Sequence, residues 1–337
     1  MVGQADGIYS QREKHDRRTC FPARFQFRST MPRRGRLAPT PTGLLHIGHA
    51  RTFAIAAERA AGAGLVMRIE DLDGHRCREE FVAAALDDLS WLGLTWTEGP
   101  DMGGPHAPYR QSERTRWYLE VWRRLEAAGA IYPSPHSRKD VEEAASAPHE
   151  SPQATQAGGA ARRLAPGGCV SESSLHSAPG ASPGAAAALG ESIFPVSLRP
   201  ASWPRAGDPG PVAWRFKVPD GRVIEFEDVL CGTVRRTAGI DFGDFVVWRR
   251  DALPAYELAV VADDHSMEIE EVVRGEDLLT STARQLLLYE ALGWTPPAWC
   301  HTPLICDAAG NRLAKRTGGL AIRDLRAAGK TPQEVLA

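Results

Sequence analysis

Two histidines three residues apart, His46 and His49, follow the stretch Arg36-Leu37-Ala38-Pro39-Thr40-Pro41-Thr42-Gly43. Pro39 and Pro41 hold that stretch extended, and Gly43 permits a sharp bend. From about Gly48 the chain is Ala-rich and helix-forming through Ala61. The imidazoles therefore fall at a predicted helix N-terminus, where unpaired N–H groups and the macrodipole attract phosphate. The plain alternative is a turn carrying two surface histidines.

The elements around this turn read as an alternation of strands and helices. Leu65 to Asp71 is a buried strand ending in acidic residues, and 78–92 is a helix with Phe81, Leu86, Leu89, Trp91 and Leu92 at helical spacing. A second helix over 112–128 puts Tyr118, Val121, Trp122 and Leu125 on one face, and Gly129 stops it. This order predicts an α/β fold with a parallel sheet of nucleotide-binding type. Ligands bind such sheets at the carboxyl ends of the strands, so Thr40 and Glu70 belong at one edge. Residues 144–190 are dominated by Ala, Gly, Pro and Ser, which cannot offset their ordering entropy by burial. They read as a disordered insertion. Strands are expected at 212–218 and 222–229, joined as a hairpin by Asp220-Gly221. A strand pair over 244–262 includes Phe245–Trp248 and Tyr256–Val261, and Asp263-Asp264-His265 closes it. A strand from Val272 leads to a helix from Ser281 to Leu292, then a strand over 299–306 and a helical tail over 320–337.

Composition bounds the function classes. The chain has 337 residues, 43% of them hydrophobic, enough for one large domain with an appendage or for two domains. A formal net charge of -2 shows no global polycation, so an RNA partner needs a local basic face. The six cysteines form no C-x-x-C pair, which suits a reducing, cytoplasmic setting. Nothing approaches a membrane-spanning run of about 18 apolar residues. Residues 1–30 lack the apolar core of a secretory signal, and Met31 reads as the true start.

The ordered set R-x-A-P-T-P-T-G (36–43), L-H-I-G-H (45–49), R-I-E-D (68–71), A-Y (255–256), V-R-G-E-D-L (273–278) and R-L-A-K-R (312–316) resembles the class I aminoacyl-tRNA synthetases. The second of these is similar to their HIGH motif and the last to their lysine-containing KMSKS motif. The pattern is that of the glutamyl-type enzymes, and it covers roughly residues 33–330 apart from the insertion. The resemblance implies a Rossmann-like catalytic domain, a parallel sheet with helices on both faces, carrying a degenerate insertion subdomain and no anticodon-binding domain. Its expected parts are an extension over 1–32, catalytic halves over 33–131 and 212–337, and an insertion region over 132–211.

The implied reaction is attack of a carboxylate on the α-phosphate of ATP, with Mg and with pyrophosphate leaving. Catalysis is then mainly positioning and electrostatic stabilisation. His46, Gly48, His49 and Lys315 are expected to bind ATP, with His46, His49 and Lys315 catalytic. Lys315, followed by Gly318-Gly319, can swing onto the pyrophosphate side. Its loop departs from the family pattern at Leu313, Ala314 and Arg316. L-glutamate carries two carboxylates and an ammonium. Arg36 and Arg274 can each clamp a carboxylate in bidentate fashion. Glu70 can hold the ammonium, and Tyr256 offers a hydroxyl and a ring. The resemblance adds Ala38 and Thr40 to this glutamate site. Buried structural pairs such as Arg68–Asp71 or Arg274–Glu276 are the alternative use of these charges.

Relatives carry a small zinc module after the third helix. Here Ser134 and His136 stand where its first two cysteines would be, and Phe194 and Leu198 match its later pair. One imidazole cannot supply about four ligands, so no zinc is expected. Because the chain ends about twenty residues after Lys315, it resembles a truncated branch of the family. That branch attaches glutamate to the queuosine base in the anticodon loop of tRNA(Asp). The expected partners are thus L-glutamate and queuosine-carrying tRNA(Asp), without a membrane, for a monomer. Arg235, Arg236, Arg249, Arg250 and Arg316 are candidate RNA contacts. Two alternatives stand beside this: a short enzyme charging a tRNA 3′ end, and an inactive tRNA- or protein-binding relative.

Overall fold

The computed structural model describes residues 31–146, 193–305 and 321–337, and one compact unit runs from Pro32 to Leu336. The extension 1–30, the greater part of the low-complexity insertion (147–192) and the lysine loop 306–320, Lys315 and Arg316 included, lie outside the described residues. Residues 144–146, expected to open the insertion, form the end of a helix, α4 (Arg138–Ser146).

Strands β1 (Gly35–Leu37) and β2 (Leu65–Met67) pair in parallel, with α1 (Ile47–Arg59) as the crossover between them. The pairing continues past the strands: Arg68 N–H donates to Leu37 O at 2.9 Å, and Glu70 N–H to Pro39 O at 3.0 Å. The Arg36–Thr40 stretch and Glu70 therefore do lie side by side at one edge. Helix α2 (Glu79–Trp91) buries Val82, Ala85 and Leu89, with Leu92 just beyond it, while Phe81, Leu86 and Trp91 are only partly covered. Helix α3 (Thr115–Ala127) buries Tyr118, Val121, Trp122 and Leu125, and Gly129 follows it at φ +69°.

The second half holds two sheets. Strands β3 (Ile131–Ser134), β4 (Ala213–Phe216) and β7 (Phe245–Trp248) form an antiparallel sheet in the order β3-β4-β7. Strands β5 (Val223–Asp228), β6 (Gly232–Thr237), β8 (Glu271–Gly275) and β9 (Ala298–Thr302) form the other, in the order β6-β5-β9-β8. Its β5–β9 and β8–β9 pairs are parallel and β5–β6 is antiparallel. The parallel pairing that the sequence suggested thus joins β1–β2, β5–β9 and β8–β9, with antiparallel pairs added in the second half. Arg34 O accepts the N–H groups of Glu270 and Glu271 at 2.8 and 3.1 Å, tying the approach to β1 to the start of β8.

Two sequence expectations are corrected here. Asp220-Gly221 is a turn, with Gly221 at φ +79°, but it passes the chain from one sheet to the other because β4 and β5 do not pair. The hairpin lies one strand later, between β5 and β6, where the Asp228 carboxylate accepts the N–H groups of Leu230 and Cys231 at 3.0 and 2.9 Å. Second, Tyr256–Val261 is no strand: α5 (Tyr256–Ser266) occupies it, and Asp263 and Asp264 are inside that helix. Every residue from Leu258 to Asp264 is buried, so the apolar run shows neither helical nor strand periodicity, and Val260-Val261 tips it toward strand. Helix α6 (Leu279–Leu292) ends at Gly293 in the left-handed region, and α7 (Ile322–Ala327) and α8 (Pro332–Leu336) form the helical tail. Strand β9 stops at Thr302, short of the expected 306.

Helices α3, α5 and α6 share one core with both larger sheets. Trp122 meets Trp214 edge-on at 4.8 Å, and Phe216 stacks on Phe245 at 5.2 Å. No helix among the described residues is long and apolar enough to cross a membrane.

The residues matched to the relatives' zinc positions come together as a packing site. Phe194 lies 6.3 Å from the His136 ring and 6.4 Å from Tyr132, Leu198 packs against this cluster, and the Arg215 guanidinium stands 4.2 Å over Phe194. Ser134 is buried and accepts from Arg215 Nε at 3.3 Å. Beside it, the buried Asp244 accepts from Arg199 Nε and Nη2 at 2.6 Å each, from Tyr132 OH at 2.5 Å and from the Val218 N–H at 2.8 Å. Removing the carboxylate leaves the Tyr132 hydroxyl and the Val218 N–H without their acceptor, and Arg199 with only the partly exposed Asp220 as its charge partner. Asp244→Ala is therefore expected to cost about 3–5 kcal/mol, read as a lower urea midpoint. A loss below about 1 kcal/mol, the scale of an exposed ion pair, would contradict this anchoring role.

Candidate active site

His46 is the N-cap of α1, with φ -117° and ψ 171°, and its Nδ1 accepts the Gly48 N–H at 3.1 Å. His49 reciprocates: its Nδ1 accepts the His46 N–H at 3.2 Å. This is a capping box built from two imidazoles where a hydroxyl and a carboxylate usually stand. A neutral ring that accepts at Nδ1 carries its proton on Nε2, so both rings are Nε2–H donors. The rings lie 3.8 Å apart at the helix N-terminus. A Cβ on Gly48 would sit 2.9 Å from His46 Cε1 and 3.0 Å from its Nδ1, which explains glycine at this position. Ala321 bridges His46, and the Ile322 N–H bonds Leu45 O at 2.9 Å, so the tail returns to the histidine turn.

Beyond this turn is a buried lattice of charges. Arg36, on β1, donates from Nη1 to Val273 O at 2.8 Å, and its Nε stands 3.7 Å from Asp264 Oδ1. Arg68 has no solvent exposure; it donates to Asp264 Oδ1 at 2.6 Å and to Glu70 Oε1 at 3.0 Å. Asp263, one residue earlier on α5, accepts from Arg114 Nε at 2.7 Å, Gln111 Nε2 at 2.9 Å and Tyr118 OH at 2.9 Å. Arg274, at the end of β8, donates to His301 Nε2 at 3.2 Å and to Thr282 Oγ1 at 2.7 Å. Tyr256 opens α5 with 39% of its surface exposed, and its hydroxyl lies in the field of Arg274, Glu70, Glu257 and Arg36.

Burial shapes the protonation equilibria. It raises the Glu70 carboxyl above the ordinary range against the opposing pull of Arg68 and Arg36. It also lowers Arg36, which Asp264 partly restores. For Arg68 burial acts in the same direction, yet Asp264, Glu70 and Asp263 together hold its guanidinium well above its ordinary value. Five buried polar atoms in this cluster have no hydrogen-bond partner among the described residues: Arg36 Nε, Arg68 Nε, Arg274 Nη1, Tyr289 OH and Asp264 Oδ2. Donors and an acceptor thus stand with unused bonding capacity among these buried charges, a feature that polar ligand sites share.

The structure therefore brings Arg36, Glu70, Tyr256 and Arg274 together. Ala38 is half-buried and Thr40 exposed in the extended continuation of β1, where Thr40 O accepts the Thr42 N–H at 2.9 Å. The alternative pairings do not form: Asp71 accepts the N–H and hydroxyl of Ser112, each at 2.8 Å, and Glu276 accepts the Leu304 N–H at 3.1 Å. Sequence reasoning missed Asp264, Tyr289, His301 and Asp228. The spacing of Tyr256, Val260 and Asp264 (i, i+4, i+8) fits one face of a helix and of a strand alike, so it did not expose the first. Among the candidate RNA contacts, Arg235 pairs with Glu225, Arg249 with Asp251 at 3.0 Å, and Arg250 donates to Pro135 O. Arg236 donates to Arg235 O at 2.8 Å.

Comparison with known proteins gives this geometry a family. Residues 33–168 and 204–337 match the model of the class I tRNA synthetase (E and Q) catalytic domain. A glutamyl-Q tRNA(Asp) synthetase of Symbiobacterium thermophilum is 42% identical over 90% of this chain and 84% of its own. One of Nitratidesulfovibrio vulgaris is 42% identical over 88% and 82%. A glutamate–tRNA ligase of Acidithiobacillus ferrooxidans is 38% identical over 89% of this chain and 56% of its own. Among solved structures, a glutamate tRNA ligase from Elizabethkingia meningosepticum in complex with its amino acid superposes with a TM-score of 0.64 at 27% identity. That match covers 89% of this chain and spans about half, 53%, of the solved one. With its α/β fold, its imidazole-capped helix and its buried arginine cluster, the chain belongs to the class I (E and Q) tRNA synthetase catalytic-domain family.

Proposed function

We propose that this chain activates L-glutamate with ATP and transfers it to the queuosine base in the anticodon loop of tRNA(Asp). The observation that carries the first half is the set of unpartnered buried groups on Arg36, Arg274, Tyr289 and Asp264, beside Glu70 and Tyr256. Two guanidinium forks and an anion match a ligand with two carboxylates and one ammonium. Arg36 and Arg274 clamp the carboxylates, Glu70 receives the ammonium, and Ala38 and Thr40 flank the amino acid.

One carboxylate oxygen attacks the α-phosphorus of ATP; the P–O bond to pyrophosphate breaks, leaving an acyl-adenylate. His46 and His49 donate from Nε2 to phosphate oxygens as charge gathers there, reinforced by the N-terminal dipole of α1 around Gly48. Lys315 neutralises the departing pyrophosphate. A ring hydroxyl of the modified base then attacks the acyl carbonyl, loses its proton and releases AMP. Among the described residues no cluster of three or more His, Cys, Asp or Glu side chains is placed to hold a metal. Magnesium carried by ATP phosphates needs no such cage and supplies further charge neutralisation.

The choice of acceptor is supported by the relatives: those named glutamyl-Q tRNA(Asp) synthetase reach 42% identity, and the glutamate–tRNA ligase reported above 38%. The experiment is pyrophosphate exchange with glutamate, followed by transfer of labelled glutamate to tRNAs with and without queuosine. Exchange without tRNA and label stable only on queuosine-containing tRNA(Asp) are expected. Charging of the 3′ end of tRNA(Glu) would move the chain to the second reading, and absence of exchange would mark an inactive binding relative.

Glu70 offers a separate test because its role and its stability effect have opposite signs. Its folded-state pKa is raised, so the ionised carboxylate costs stability at neutral pH, and that cost fades as pH falls toward the ordinary range of about 4. Glu70→Gln is expected to melt no lower than the parent at pH 7.5, with any gain shrinking at lower pH, while the glutamate KM rises roughly a hundredfold. A destabilised variant with an unaltered KM would contradict the assignment.

A further inference from the structure

Arg274 is held from behind by a chain of groups outside the proposed substrate contacts. Asp228 closes the β5–β6 turn, and its Oδ2 is 2.6 Å from His301 Nδ1. The same carboxylate accepts main-chain N–H bonds from His301, Leu230 and Cys231. Although burial raises it, these bonds keep its pKa below the ordinary value, so it is ionised and only accepts. The Nδ1 proton therefore belongs to His301, and Nε2 is left as a lone pair. Toward that lone pair come Arg274 Nε–H at 3.2 Å and the Thr282 hydroxyl at 2.9 Å, nearer than the hydroxyl's other acceptor, Leu278 O at 3.3 Å. Thr282 Oγ1 in turn accepts from Arg274 Nη2 at 2.7 Å, and the guanidinium carbon stands 5.0 Å over the Trp299 ring. Asp228, His301, Thr282 and Arg274 are each at most 5% exposed.

We propose that Asp228, His301 and Thr282 form a positioning relay that fixes the orientation of Arg274 and reserves its Nη1 edge for a ligand carboxylate. The logic is one of proton direction. Asp228 sets the tautomer of His301, the tautomer turns a lone pair toward Arg274, and the lone pair and hydroxyl together engage Nε and Nη2. That leaves Nη1 as a buried donor without a partner among the described residues. A protonated or reversed imidazole would point an N–H at the guanidinium and break the relay. The groups acting on His301 are Asp228, Arg274 and Arg36, and burial holds its pKa below the ordinary value, consistent with a neutral ring. The substrate half of this inference rests on the glutamate reading above; the relay does not.

Two measurements keep those halves apart. Nitrogen-15 NMR of histidine-labelled full-length protein at pH 7.5 is expected to show His301 protonated at Nδ1 and bare at Nε2. A proton on Nε2 would overturn the relay whatever the substrate. Steady-state pyrophosphate exchange then reads its purpose. His301→Asn keeps a donor toward Asp228 but removes the acceptor facing Arg274, and it should raise the glutamate KM about tenfold with a smaller change in kcat. Asp228→Asn keeps the shape but lets an amide donate to Nδ1, so it should reproduce that rise. His301→Gln, which returns an acceptor near the Nε2 position, should bring KM back to within about threefold of the parent. Equal KM values in the parent, H301N and D228N, with all three folded by circular dichroism, would overturn the proposal. A parent protein that binds no glutamate would overturn its substrate half and leave the NMR result to decide the rest.

Discussion

Arg68 and Asp264 meet at 2.6 Å with neither side chain more than 1% exposed, and the arrangement around them depends on that contact. A guanidinium taken wholly out of water is tolerated only when well paired, and Arg68 finds Asp264 and Glu70 at bonding distance, with Asp263 at 3.8 Å. Because Arg68 follows β2 and Asp264 sits on α5, the pair ties the first half of the chain to the second. Arg36 on β1 leans on the same Asp264, and its Nη1 reaches Val273 on β8. One carboxylate thereby orients two arginines. Replacing either partner alone would leave an uncompensated charge in the interior.

Such a lattice is costly, and its members are not all satisfied internally. Arg36 Nε, Arg274 Nη1 and Asp264 Oδ2 retain bonding capacity in a region closed to bulk water. In a purely structural network that capacity would be a defect. On the proposed function it is the physical form of a preorganised site: charges held in place before the ligand arrives and completed by it. The capping box serves the same end. By consuming Nδ1 of both histidines it settles where their protons are, and a fold-stabilising contact becomes a donor pair.

The legible part of the molecule was its local chemistry. The prolines and Gly43 marked the strand–turn–helix, and the apolar face of α3 followed from its spacing. The alternating strands and helices placed Thr40 and Glu70 at one edge, and the charges Arg36, Glu70 and Arg274 could be named from the motif resemblance together with the chemistry of their side chains. What stayed hidden depends on tertiary burial. Helix α5 is buried without a break from Glu257 to Asp264, so its sequence lost the periodicity that distinguishes helix from strand, and Asp264 could not be seen as a partner of Arg68. The turn at Asp220-Gly221 was correctly a turn, yet only the pairing of β4 with β3 and β7 reveals that it changes sheets. His301 and Asp228, 73 residues apart, carry no short motif that announces them.

In the proposed function Arg36 and Arg274 recognise two carboxylates of one ligand. A side-chain amide offers a guanidinium one neutral acceptor where a carboxylate offers two charged ones, and it brings two donors of its own. The most direct measurement is calorimetric titration of the intact chain with glutamate and with glutamine at equal ionic strength. Saturable binding of glutamate and at least roughly a hundredfold weaker binding of glutamine are expected. Equal affinity for the two would contradict that recognition.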